Sequence, residues 1–133
     1  MSFIKFKPIA SYFNFYNQIS EADLNKRDLT FISQNESFKY GFKSSRDLIV
    51  FTDKRVILID KKGLRAFRKT ITYVGYDSIS SYSMTIHNLD TKFEFVLNSS
   101  HSMNINFFKP IPLDVMYDLN NYISSILIKE SNL

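Results

Sequence analysis

The chain has 133 residues and a net charge of +4, with 44% hydrophobic and 23% charged residues. These values are ordinary for a single globular domain that buries its own hydrophobic core, and they exclude a disordered chain. The absence of cysteine excludes disulfides, thiolate nucleophiles and zinc–thiolate sites.

The sequence carries no signal for membrane insertion or secretion. No apolar run approaches the roughly 20 residues that a helix needs to cross a bilayer. Residues 1–8 alternate phenylalanine with lysine, which is not the pattern of a signal peptide. We therefore expect a cytoplasmic protein that is not transmembrane, and the lack of cysteine fits a reducing compartment.

The first 35 residues predict an N-terminal arm followed by a helix. Aromatic residues crowd positions 1–17 without a clean period, so we expect an arm or a short helix that packs on the domain or on another copy. Ser20 precedes acids at 21 and 23, which is typical of a helix N-terminus. The predicted helix runs from residue 21 to about residue 32. Residues 1–35 then join the main domain, 36–133, in one structural unit.

Residues 36–108 predict seven β-strands, because the hydrophobic period changes to two at Glu36. Two apolar runs rich in β-branched residues, 47–52 and 55–59, are joined by a short polar tip and predict a hairpin. The first strand follows Glu36, with Phe38, Tyr40 and Phe42 on one side and Lys39 and Lys43 on the other. The remaining four are predicted over 68–76, 78–86, 91–98 and 102–108. Strands at this spacing are typical of a small barrel or sandwich.

The C-terminal segment predicts a helix that caps the open end of the sheet. Pro112 suits the first turn, where its missing N–H is no loss. Apolar residues then recur at three- and four-residue steps: Val115, Met116, Leu119, Tyr122, Ile123, Ile126 and Leu127.

The stretch 47–63, DLIVFTDKRVILIDKKG, resembles the signature hairpin of the bacterial pleckstrin-homology-like (PH-like) family. Segments 76–81 and 20–24 resemble two further family elements, and the resemblance covers roughly residues 20–128. It implies an α+β, mainly β fold: a seven-stranded bent antiparallel sheet or open barrel with a C-terminal capping helix. An N-terminal helical extension is added in this chain. Family members are described as ring-shaped, so the resemblance also implies a homo-oligomer.

Positive charge is concentrated in the middle of the chain. Residues 39–69 hold ten basic and three acidic residues, a net +7, which leaves −3 for the remainder. Such asymmetry is typical of an anion-binding face, and solvated strand edges give the same pattern. In eukaryotic PH domains the first hairpin supplies basic residues to inositol phosphates. The candidate anion-binding residues are Lys39, Lys43, Arg46, Lys54 and Arg55.

Catalytic equipment is sparse. The two histidines, His87 and His101, lie near predicted loop ends without converging carboxylates, and three glycines are too few for a phosphate-cradling loop. We expect no enzyme activity, no metal and no cofactor. A hydrolase that uses His87 or His101 is the least favoured of the three functional hypotheses; the other two are binding functions, described below. Aromatics between basic residues suit base stacking, but alternating aromatics in strands are usually core, so nucleic acid is not an expected partner.

The aromatic content favours self-association. The chain has 13 phenylalanines and 8 tyrosines, more rings than a small interior holds, and such side chains are enriched at interfaces. Candidate interface residues are Phe3, Phe6, Phe13 and Phe15, and strand addition between sheet edges is a second route to association. The leading hypothesis is a non-catalytic module that self-assembles and binds another protein or an anionic surface. The alternative is a binder of a small anionic, phosphate-bearing ligand or an anionic lipid.

Overall fold

The computed structural model describes residues 10–62 and 68–131. Within these ranges the backbone forms nine strands, a one-turn helix and a long C-terminal helix. The strands are β1 (Ala10–Phe15), β2 (Asn17–Ile19), β3 (Phe38–Lys43), β4 (Leu48–Thr52), β5 (Arg55–Lys62), β6 (Arg68–Gly75), β7 (Ile79–Ile86), β8 (Asp90–Leu97) and β9 (Ser102–Phe108). The helices are α1 (Lys26–Leu29) and α2 (Leu113–Ser131), and 3-10 turns cover Glu21–Asp23 and Tyr76–Ser78.

The strands form two sheets packed around a shared core. One sheet has the order β1-β9-β8-β7 and the other has the order β2-β3-β4-β5-β6. Leu48 pairs with Ile59 in antiparallel register, which confirms the predicted hairpin. The seven predicted strands correspond to β3–β9, so the mainly β, bent-sheet fold is confirmed. Among the described residues the two sheets keep open edges and do not close into a barrel.

The segment before Asn17 is a strand rather than the predicted arm or short helix. β1 pairs in parallel with β9, and β2 pairs antiparallel with β3, so residues 10–19 extend both sheets. Phe15 enters the core with 0% exposure, while Tyr12 points outward with 70%. The aromatic run hid this alternation because inward and outward positions alike carry large rings. Residues 1–9 lie outside the described residues.

The predicted helix over 21–32 is broken into two short pieces. Leu24 has extended backbone angles (φ −76°, ψ 138°), which ends the first turn after Asp23. Asn25 then caps a new start, since its side-chain oxygen accepts from the Asp28 N–H at 2.8 Å. The N-terminal helical extension therefore consists of a 3-10 turn and the single turn of α1.

This 20–36 segment covers the outer face of the five-stranded sheet. Leu24, Phe31 and Ile32 pack with apolar residues that point outward from β4 and β5. All five residues of β4 are buried as a result. Burial on both faces explains why β4 and β5 read as continuous apolar runs rather than alternating ones.

The main core lies between the inner faces of the two sheets and α2, as predicted for a capping helix. Met116, Leu119 and Ile123 of α2 are almost fully buried there. The Tyr82 hydroxyl of β7 hydrogen-bonds Asn120 Oδ1 at 3.1 Å and also contacts the Ser124 hydroxyl, which fixes the helix to the sheet. No helix within the described ranges is long and apolar enough to span a bilayer.

Candidate functional site

The loop between β3 and β4 opens into a cleft of about 520 Å³. Ser44 shapes this loop: its Oγ accepts from the Asp47 N–H at 2.9 Å, and its N–H donates to the Asp47 carbonyl at 2.9 Å. Lys43 and Arg46 flank the turn and are exposed, and Lys61 of β5 lines the same cleft. The fold therefore brings three cations and two serine hydroxyls, those of Ser44 and Ser45, to one concave place.

The carboxylates that share the cleft are engaged within the protein. Asp28 pairs with Lys69 at 3.2 Å. Asp23 accepts from the Ser20 N–H at 2.7 Å and from its hydroxyl at 3.0 Å; these two bonds lower the pKa of Asp23, with a smaller contribution from Lys43.

Asp47 is the third carboxylate of the cleft. Its Oδ1 accepts from the Lys61 N–H at 3.1 Å. Burial raises the pKa of Asp47, the Lys61 N–H acts in the opposite direction, and the neighbouring Asp60 carboxyl raises the pKa further. Among the described residues, Lys43 and Arg46 form no ion pair, although Lys43 interacts electrostatically with Asp23 and Arg46 with Asp47, and each interaction acts to lower the pKa of that carboxyl. Both cationic groups are exposed, which suits a phosphate or another small anion.

The other three predicted anion-binding residues lie elsewhere. Lys54 and Arg55 follow β4, whose five residues separate them from the cleft by about 17 Å. Lys39 is exposed on β3 and lines a separate cleft beside Glu21. The described basic residues of 39–69 are thus divided among several places, and of the five predicted residues Lys43 and Arg46 line the same cleft.

Arg55 is held by a structural ion pair. Its guanidinium bonds the Glu36 carboxylate through Nε at 3.2 Å and Nη2 at 2.8 Å, and it lies 4.3 Å from the centre of the Tyr73 ring. Thr52 Oγ1 donates to the same carboxylate at 2.7 Å. Burial by itself raises the pKa of Glu36, but the hydrogen bonds from Arg55, Ser33 and Thr52 outweigh it and hold that pKa below its usual value.

The two predicted interface phenylalanines that the structure describes, Phe13 and Phe15, pack into the fold. Phe15 is fully buried and its ring stacks against Phe107, so it has no surface to offer a second copy. Phe13 is half-buried and packs against the same core. Phe3 and Phe6 lie outside the described residues.

The two histidines lie at opposite ends of β8. His101 Nε2 is 2.9 Å from the Ser11 hydroxyl, and the His87 N–H donates to the Asp90 carbonyl at the β7–β8 turn. Eight residues of strand separate the two ends, so no site joins them. Residues 10–62 and 68–131 contain no group of three His, Asp or Glu side chains close enough to hold a metal.

The edge of β7 is a feature that the sequence pattern did not reveal. In the described part of the chain its only strand partner is β8, and its sequence, ISSYSMTI, contains no charge, proline or glycine. In the five-stranded sheet, the edge strand β6 begins with the cations Arg68 and Lys69, and the opposite edge strand, β2, has three residues. Uncharged edge strands of this length can add another strand, whereas lysine and arginine discourage such pairing. The lack of charge over 78–86 was the available signal.

Solved PH-domain structures share this architecture. A DUF1696-family protein with a pleckstrin-homology domain from Shewanella loihica superposes with a TM-score of 0.72 and 19% identity, covering 83% of this chain and 95% of that chain. A pleckstrin-homology domain from Shewanella amazonensis gives 0.61 and 24%, covering 82% and 91%. A PH-domain-containing protein from Exiguobacterium sibiricum gives 0.65 and 16%, covering 90% and 65%. At these identities the likeness shows the fold.

Sequence comparison identifies the family. The uncharacterized protein YjqA of Bacillus subtilis strain 168 is 38% identical over 66 residues, which is 50% of this chain and about half (53%) of that relative's length. The family model for the bacterial PH domain matches residues 9–127. The match begins just before β1 and ends near the close of α2, so it includes both sheets and the capping helix. The chain belongs to the bacterial PH domain family.

Proposed function

We propose that this chain is a non-catalytic, cytoplasmic PH module that assembles with copies of itself through the free edge of β7. The observation that carries the proposal is the uncharged eight-residue edge of the four-stranded sheet. PH domains serve generally as binding modules, and assembly would present several copies of the basic cleft on one particle. Several linked sites raise the apparent affinity for a protein or a surface without any new contact.

The chemistry of β7 supports strand addition. Its outward side chains, which include Ser81, Ser83 and Thr85, are exposed and small. An edge strand also presents unpaired backbone N–H and C=O groups to a neighbouring strand. A register shift between Ile79 and Ser81 makes the start of β7 irregular, which disfavours pairing with another strand there. From Ser81 onward the pairing of β7 with β8 is regular.

The test is the molar mass by light scattering during size exclusion at micromolar concentration. We expect the wild-type chain to elute at a multiple of 15.6 kDa. The double variant Ser81→Lys/Ser83→Lys places two cations on the β7 edge strand and is expected to elute at the mass of one chain, because these lysines would lie beside the lysines of the paired copy, and neighbouring like charges oppose strand pairing.

The matched control is Thr70→Lys/Thr72→Lys on the edge strand β6, where both threonines are exposed. This variant is expected to keep the wild-type mass. A monomeric wild-type protein would contradict the proposal, and so would equal dissociation of the β6 variant.

A second candidate function is the binding of a small phosphate-bearing anion in the β3–β4 cleft. It is favoured by the exposed Lys43 and Arg46 beside two serine hydroxyls. Phosphate oxygens accept several charge-assisted hydrogen bonds at once, and an arginine fork can supply two of them. A concave site also excludes part of the screening solvent and strengthens this attraction.

Thermal denaturation tests this candidate against inorganic phosphate, pyrophosphate, nucleotides and inositol phosphates. An anion present at 100 times its Kd stabilises the folded state by about 2.7 kcal/mol and raises Tm. Lys43→Ala/Arg46→Ala is expected to abolish the increase, whereas Lys54→Ala, at the far end of β4, should retain it. Equal loss in both variants, or no increase with any anion, would contradict a site in this cleft.

A further inference from the structure

Two tyrosines, the tyrosine pair, lie where α2 packs against β3 and the end of β4. The rings of Tyr40 on β3 and Tyr122 on α2 are 5.7 Å apart between centroids and are tilted by 54°. Tyr40 packs on the main core, and the Tyr122 hydroxyl donates to the Thr52 carbonyl at 3.4 Å. Both residues are half-buried. The pair is therefore fixed in place and still accessible from solvent.

Carboxylates lie beside the tyrosine pair. Asp118 is exposed one helical turn before Tyr122 on α2, so the two side chains share one face of the helix. Burial raises the pKa of Tyr40, and the Asp118 carboxylate raises that pKa further. Burial likewise raises the pKa of Tyr122, with further contributions from Asp53 and Tyr40. Asp118 and Asp53 thus both add negative potential at the two rings.

The fold holds two of its own cations, Arg55 and Lys69, each between a carboxylate and an aromatic ring. The ion-pair distances are 2.8 Å for Arg55 and 3.2 Å for Lys69. The two cationic groups lie 4.3 Å and 5.2 Å from the ring centroids. The carboxylates are those of Glu36 and Asp28, and the rings are those of Tyr73 and Phe31, in the same order.

Asp118 and the tyrosine pair form a third combination of a carboxylate with aromatic rings. Within residues 10–62 and 68–131, no lysine or arginine forms an ion pair with Asp118 or a cation–π contact with either ring. Lys39 lines the separate cleft beside Glu21, and Lys54 is exposed at the β4–β5 turn. The described part of the chain therefore supplies no cation of its own to this combination.

We infer that Tyr40, Tyr122 and Asp118 bind an arginine side chain presented by a partner protein. A guanidinium stacks on aromatic faces and donates two parallel hydrogen bonds to a carboxylate, whereas an ammonium is a compact, strongly hydrated charge. The negative potential at the two rings is complementary to this occupant. The inference does not depend on the β7 edge or on the β3–β4 cleft, which lies at the opposite end of β4.

The test is an NMR titration of the full chain with a blocked glycine pentapeptide that carries arginine at its centre. The same peptide with citrulline, the neutral analogue of arginine, is titrated in parallel. We expect the arginine peptide to shift the ring signals of Tyr40 and Tyr122 more than the citrulline peptide does, and the binding to weaken as salt is added. Asp118→Asn is expected to weaken the binding of the arginine peptide about threefold to fivefold, the upper range for an exposed ion pair.

Asp114→Asn is the matched control, because Asp114 is also exposed on α2 but lies one turn farther from Tyr122. This variant should bind the arginine peptide as the wild type does. The inference is overturned if the two peptides shift the tyrosine signals equally, if neither peptide shifts them at millimolar concentration, or if both variants lose the same affinity.

Light scattering on the same variants separates a partner protein from a second copy of this chain. Asp118→Asn should keep the wild-type mass, because the assembly proposed above uses the β7 edge. Dissociation of an oligomer by Asp118→Asn would overturn the inference, since the arginine would then belong to another copy.

Discussion

Replacing Phe15 by alanine is expected to destabilise the domain by about 3–5 kcal/mol, the usual cost of truncating a fully buried phenylalanine. The ring is 0% exposed and stacks against Phe107, which also contacts Phe42 at 4.6 Å between ring centroids. Truncation would leave a cavity where β1 meets β9. Urea denaturation followed by circular dichroism measures the loss as a lower midpoint with an unchanged m-value.

Tyr12→Ala is the control for this prediction, because it removes an aromatic ring from the same strand and Tyr12 is 70% exposed. Its effect should stay within about 0.5 kcal/mol. A loss below about 1 kcal/mol for Phe15→Ala, less than the cavity rule allows, would mean that β1 contributes little to the core. The N-terminal segment would then be the separate arm that its sequence suggests.

Replacing Arg55 by alanine is the second change with a large expected effect, again about 3–5 kcal/mol. The Glu36 side chain is only 1% exposed, and Arg55 supplies the countercharge at 2.8 Å. Without the guanidinium, the buried Glu36 carboxylate keeps, among the described residues, the hydrogen bonds from the Thr52 hydroxyl and the Ser33 N–H. Denaturant midpoints at pH 7 measure the loss, and Lys54→Ala, the exposed neighbour, should stay close to the wild type.

The pH dependence separates loss of the ion pair from simple loss of packing. In the wild type the pKa of Glu36 lies below its ordinary value, so its stabilisation is present above about pH 4.3 and is lost as the pH falls through the folded pKa. In Arg55→Ala the guanidinium no longer opposes the effect of burial, so the pKa of Glu36 is expected to rise. Protonation of Glu36 at low pH then removes the uncompensated buried charge. The stability deficit of Arg55→Ala should therefore be smaller at pH 4 than at pH 7; an equal deficit would point to packing alone.

Elements whose signals are local could be predicted from the sequence. The β4–β5 hairpin is specified by two apolar runs around the polar pair Asp53-Lys54, and the pairing of Leu48 with Ile59 follows from that short connection. The α2 helix is specified by its apolar stripe, and Met116 and Leu119 are buried as that stripe requires. Both signals lie within about 20 consecutive residues, so no distant contact is needed to interpret them.

The break in the predicted first helix depends on a competition that residue types alone do not decide. Residues 20–32 contain one acceptable N-cap at Ser20 and another at Asn25, and each can start a turn. The burial of Leu24 against the outer face of the five-stranded sheet accompanies the extended backbone between the two turns. A continuous helix from Glu21 would have satisfied the local propensities equally well.

The strands β3–β9 and the capping helix could be predicted from the order of the residues, because hydrophobic periodicity and turn chemistry act over short distances. The position of β1 beside β9 depends on the folded chain, where Asn106 Nδ2 donates to Asn14 Oδ1 at 3.0 Å across 92 residues of chain. The pairing of Arg55 with Glu36 and the position of Lys61 in the cleft depend on it too. The physical reason is that strand partners and ion pairs depend on which groups the folded chain brings together and removes from water. The order of charges along the sequence does not contain that information.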